Sequence, residues 1–136
     1  MTEVAEQFLI DILAPQLTPV PVRRDVADPQ IARPIVIVAG RLDETYIPNA
    51  RFSVAKVALE VMIETQVGQT TDTDHEALIS QVSASLPNYG PWTGTQTYYE
   101  SVFFGPVTGQ QKRTNDLVRS YIFSLYLVGQ LTTPAM

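Results

Sequence analysis

One short run holds most of the side chains able to do chemistry: Asp72, Asp74, His75 and Glu76. Carboxylates and imidazole are metal-ligand types, and an imidazole beside a hydroxyl is the base of nucleophilic catalysis. The spacing argues against both uses. Consecutive residues at a helix start point around its axis, whereas ligands must converge, and the chain has neither a second histidine nor a cysteine. No Gly-x-Ser-x-Gly elbow, phosphate loop or dinucleotide fingerprint occurs, and Gly94 and Gly105 read as isolated turn glycines. A capped helix N-terminus explains all four residues, because acid there meets the positive end of the helix dipole. No catalytic residue, cofactor or metal ligand is therefore expected, and the chain is not expected to be an enzyme.

The remaining charged and aromatic groups point to surfaces. Glu60 and Glu64 fall on one face of a strand, but four residues of strand separate them by roughly 13 Å, beyond the spacing of a glycosidase pair. They read as solvated charges on an exposed strand. Tyr98, Tyr99, Phe103 and Phe104 put aromatic rings on both faces of another strand. A nucleic-acid stacking platform needs flanking basic residues, and only Lys112 and Arg113 follow. One aromatic face then belongs to the core and the other to a neighbour, or a helix covers it. The candidate subunit or partner interface is Arg41, Tyr46, Arg51, Lys56, Glu60, Glu64, Lys112 and Arg113.

The elements that must position these groups follow from periodicity. Residues 52–64 alternate with a period of two: Ser53, Ala55, Val57, Leu59, Val61 and Ile63 on one side, and all three charges, Lys56, Glu60 and Glu64, on the other. Such a strand is roughly 40 Å long, well beyond the usual 5–6 residues. Residues 2–13 predict a helix with an apolar stripe of Val4, Ala5, Phe8, Leu9, Ile12 and Leu13, ended by Pro15. Val20 and Val22 suit a short edge strand. Residues 34–39 form an apolar strand covered on both faces and closed by Gly40, and residues 41–51 read as a polar loop. A second helix spans 73–86, with Thr73 and Glu76 as a capping box and Leu78, Ile79, Val82 and Leu86 as the buried stripe, His75 lying one turn upstream on that side. Residues 96–104 alternate, residues 105–116 read as a loop with Lys112-Arg113 near its tip, and residues 117–128 form a second long strand. In that strand Leu117, Tyr121, Phe123, Leu125 and Leu127 share one face. The last two strands should pair antiparallel as an extended hairpin.

This order predicts a single α+β domain over residues 1–136. Its centre is one mostly antiparallel or mixed sheet of about 4–5 strands, with two helices, about 2–14 and 73–86, on one face. A chain of 136 residues buries a core without staples, and with no cysteine there is no disulfide framework. Nine basic against 14 acidic residues give a net charge of −5 with no basic block, so gripping a nucleic-acid backbone is not expected. The first residues lack the pattern of a signal peptide, and no apolar run approaches the roughly 20 residues of a membrane span. A soluble protein with no membrane partner is expected.

The layout as a whole is a helix, a proline-rich entry to Arg33-Pro-Ile-Val-Ile-Val-Ala, and a long alternating strand. Thr71-Asp-Thr-Asp-His-Glu-Ala-Leu-Ile-Ser-Gln-Val, an aromatic strand and a closing long strand follow. It resembles the tail-terminator, or tail-completion, proteins of long-tailed bacteriophages. The resemblance covers the whole chain as an order of elements, with Asp72-Thr-Asp-His75 and its apolar helix as the most specific piece. It implies a virion structural protein, assembled in the host cytoplasm as a homohexameric ring at the head-proximal end of the tail tube. That ring ends tube growth and contacts tail-tube and head-connector proteins for head–tail joining. DNA passes through it without specific binding. The alternatives are a head–tail adaptor or tube subunit of the same assembly, or a small ligand-binding or enzymatic α+β domain with a pocket near Trp92 and His75.

Overall fold

In the computed structural model, which describes residues 2–24, 34–49, 52–92, 99–113 and 117–131, the chain is α+β: two helices and a single open sheet. In chain order the elements are α1 (Thr2–Leu17), β1 (Val22–Arg24), β2 (Ile35–Asn49), β3 (Phe52–Gln66), α2 (Asp72–Ser85), β4 (Gly90–Pro91), β5 (Tyr99–Phe104), β6 (Thr108–Arg113) and β7 (Val118–Leu131). The sheet order is β1-β2-β3-β7-β5-β4, with β6 also pairing β7. Among the described strand pairs only β1–β2 is parallel. The expected four or five strands become seven, because β4 and β6 form where turns and loop were expected.

The centre is the antiparallel pair β3–β7, in register without a break from Ser53↔Leu131 to Gln66↔Val118. Alternation fixes which side is buried. Val57, Leu59, Val61 and Ile63 face the same core as their partners Leu127, Leu125 and Phe123, and Val36 and Val38 of β2 join them. Both helices enter this cluster, α1 through Ala5, Phe8, Leu9, Leu13 and Leu17 and α2 through Leu78, Val82 and Leu86. The aromatic trio Phe8, Phe104 and Trp92, with ring centroids 5.8–6.1 Å apart, fixes α1 to the β5 end.

Three sequence expectations are corrected. Pro15 does not end α1, which continues to Leu17. Leu17 is 1% exposed and extends the Ala5–Leu9–Leu13 row by one more turn. The carbonyl that Pro15 leaves without a donor belongs to Asp11; both residues are exposed, so water reaches it.

Gly40 does not close β2, and residues 41–49 are strand rather than loop. A register shift between Gly40 and Leu42 absorbs one extra residue, Arg41, after which β2 pairs β3 up to Asn49↔Phe52. A second shift lies between Tyr46 and Asn49. The charged and polar types that suggest a loop here suit a strand whose partner, β3, supplies the ladder.

Residues 108–113, read as loop, are β6, paired with β7 from Thr108↔Ser124 to Arg113↔Arg119. β5 and β6 thus lie end to end along the same edge of β7, interrupted at Gly105. There the glycine N–H donates to the Tyr126 carbonyl at 2.9 Å. The extended hairpin is present, longer than expected.

Candidate functional site

The start of α2 is built from its cap outward. Thr71 is the N-cap, its Oγ1 accepting from the Asp74 N–H at 3.1 Å. Helix α2 begins at Asp72, so the cap lies two residues upstream of Thr73 and the Thr73–Glu76 capping box is corrected. Thr71 holds the extended φ/ψ a cap requires, φ −70° and ψ 160°, whereas Thr73 is already helical. Asp72 forms an ion pair with Arg119, which also donates to the Thr70 carbonyl. Asp74 and Glu76 are exposed. The four metal-type side chains therefore diverge, and among the described residues no group of three or more His, Cys, Asp and Glu is placed to hold a metal.

His75 turns inward and is 4% exposed. Its Nδ1 lies 2.7 Å from Thr65 Oγ1, and its Nε2 is buried without a hydrogen-bond partner among the described residues. Burial pushes its pKa below the ordinary histidine value, with Glu76 pulling weakly upward. Thr65 is itself fully buried at the end of β3 and in register with Arg119 on β7. A small cavity of about 280 Å³ lies outside this cluster, lined by residues 67–72 and Arg119.

Trp92 stands elsewhere. Its backbone N–H donates to the carbonyl of Val102, which is in register with Gly129 and hence with Ala55 of β3. His75 hangs on Thr65, ten residues further along the same strand, or roughly 33 Å. Trp92 and His75 therefore stand far apart along β3.

Of the candidate interface residues, Lys56, Glu60 and Glu64 lie on the sheet face away from the helices. Lys56 is exposed, with Nζ 4.9 Å from the Tyr126 ring centroid, and Glu60 and Glu64 are half-buried. Glu60 lines a trough of about 470 Å³ with Thr108, Gln110, Ile122 and Ser124. In backbone register Lys112 pairs with Ser120 and Arg113 with Arg119 of β7. Arg41 sits at the β2 register shift and Tyr46 opposite Val54. The side chains of Arg41, Tyr46, Lys112 and Arg113, and all of Arg51, lie outside the described residues.

The helix-free face is less wet than the charges imply. Ile37, Met62 and Ile122 make one half-buried row across three strands, and Ala58 and Tyr126 make another. At its β5 end Phe103, 37% exposed, meets Tyr89, 71% exposed, edge to face at 5.4 Å. Sequence reasoning missed Thr65, Arg119 and Tyr89. Continuing the alternation one step past Ile63 reaches Thr65, and an arginine on the face shared by Tyr121 and Phe123 signals a buried partner. Tyr89 gives no signal beyond its place in a turn. No protein-family model matches the chain, and no curated protein matches it.

Proposed function

We propose that this chain is a structural ring subunit of a long-tailed phage particle. It would be a tail terminator that ends tube growth at the head-proximal end and joins tail to head. The supporting observation is the mismatch between strand and helix length. β2 and β3 have 15 residues each and β7 has 14, roughly 46–50 Å of extended chain. The helices, of 16 and 14 residues, span only about 21–24 Å and both join one core cluster. The strands run about twice the length of either helix, and the described core of β3 spans only Val57–Ile63. That surplus suits a subunit whose neighbours complete its packing, with no membrane and no specific DNA contact involved.

Size-exclusion chromatography with light scattering tests this reading, first on the purified chain and then with tail-tube protein added. A closed ring, six copies by the resemblance, is expected, alone or on the end of the tube. A strictly monomeric species under both conditions overturns it. Capped tubes of constant length distinguish a terminator from a tube subunit, which would add to their length.

A further inference from the structure

We propose that Thr65 and His75 form an acid-labile clasp that ties the first turn of α2 to the end of β3. When it takes up a proton, the 66–71 connection and the start of the helix are released. The geometry supplies the argument. Nδ1 and Thr65 Oγ1 are 2.7 Å apart between two residues at most 4% exposed. In the neutral ring with its proton on Nδ1, that N–H donates to Thr65 and Nε2 presents only a lone pair. A protonated ring carries two N–H donors. Thr65 accepts one, and the second, on Nε2, is buried with no acceptor among the described residues.

Among the surrounding charges Glu76 pulls toward the cation, and desolvation by burial outweighs it. α2 presents its positive N-terminal end, since His75 N–H donates to the carbonyl of the cap, Thr71. From β7 comes Arg119, paired with Asp72 of α2; Asp74 and Glu76 on α2 are exposed, and Glu64 of β3 lies on the opposite face of the strand. The same elements hold the connection. Val67 N–H donates to the Leu117 carbonyl, and Arg119 binds Thr70 and Asp72. The folded pKa lies below the ordinary value of 6.5, so the unfolded or opened chain protonates first. The clasp's contribution is therefore full above about pH 6.5 and is lost as pH falls from there through the folded pKa.

His75 is the only histidine, so its ring resonances in the intact protein report its titration directly. The expected results are a midpoint below the ordinary histidine range and, on the same acid limb, loss of amide protection in residues 66–78 while the β3–β7 centre stays protected. His75→Gln should remove that acid step, and Thr65→Ser should retain it. A wild-type midpoint at or above the ordinary range overturns the clasp, as does an unchanged acid step in His75→Gln. If that variant does not fold, the wild-type titration and exchange decide alone.

Discussion

At the residue scale, two details depend on single atoms that sequence reading assigned differently. Thr71 and Thr73 have the same hydroxyl, but only Thr71 Oγ1 receives a backbone N–H. Thr71→Ala should cost about 1 kcal/mol in urea unfolding, and Thr73→Ala, exposed within the first turn, only a few tenths. Equal costs would move the cap. Gly105 reads as a turn glycine in sequence, yet it is buried and a Cβ there would lie 2.5 Å from the Tyr126 ring. Its role is close approach, letting a tyrosine lie across the break between β5 and β6. Gly105→Ala should destabilise by about 1–3 kcal/mol, as overpacking does. Because the clash is with one ring, a second substitution, Tyr126→Ala, should be far less costly in the Gly105→Ala background than alone. A double-mutant cycle with no coupling would show that something else constrains the glycine.

At the element scale, legibility followed the strength of the periodicity. The alternation of β3 and the stripe of α2 were plain in the sequence because one buried face repeats without interruption: Val57, Leu59, Val61 and Ile63, then Leu78, Val82 and Leu86. The second half of β2 was not, because its residues are polar and its strand identity comes from pairing with β3 across a register shift, a non-local cause. β6 failed for the same reason: Thr-Gly-Gln-Gln-Lys-Arg has no apolar face of its own and is held by β7. The cluster around His75 was half legible, its helix start visible and its tertiary partners Thr65 and Arg119 not. The end of α1 sets a local rule against a tertiary demand, and the buried Leu17 prevails over Pro15. Leu17→Ala should therefore cost about 2–5 kcal/mol, the range of leucine truncation in a core. Pro15→Ala should be neutral or stabilising, since it restores a donor to the last turn. A strongly destabilising Pro15→Ala, read in the same denaturation series, would mean that the proline shapes the turn beyond the helix.

At the scale of the whole molecule, the question is what surrounds a sheet that its own helices half cover. The helix-free face mixes half-buried Met62, Ile122, Tyr126 and Val128 with exposed Lys56 and Ser124, and ends in the Tyr89–Phe103 pair. Large aromatics exposed at a sheet edge contribute little to a lone copy but are the residue types that dominate association energetics. If the ring reading is right, a second copy covers them. Tyr89→Ser and Phe103→Ser should then separate two measurements that a purely structural role would move together. Unfolding of the dilute monomer should change by about 0.5 kcal/mol or less for Tyr89, as for exposed positions generally. The concentration for half-assembly, read by light scattering, should rise roughly tenfold or more, the shift of a residue contributing over about 1.4 kcal/mol to the contact. Val61→Ala gives the opposite pattern: it lies fully buried in the core cluster that both helices join, so it should lower the stability of every species. An assembly midpoint unmoved by both aromatic substitutions would move the contact away from this pair, toward the trough that Glu60, Gln110 and Ser124 line at mid-sheet.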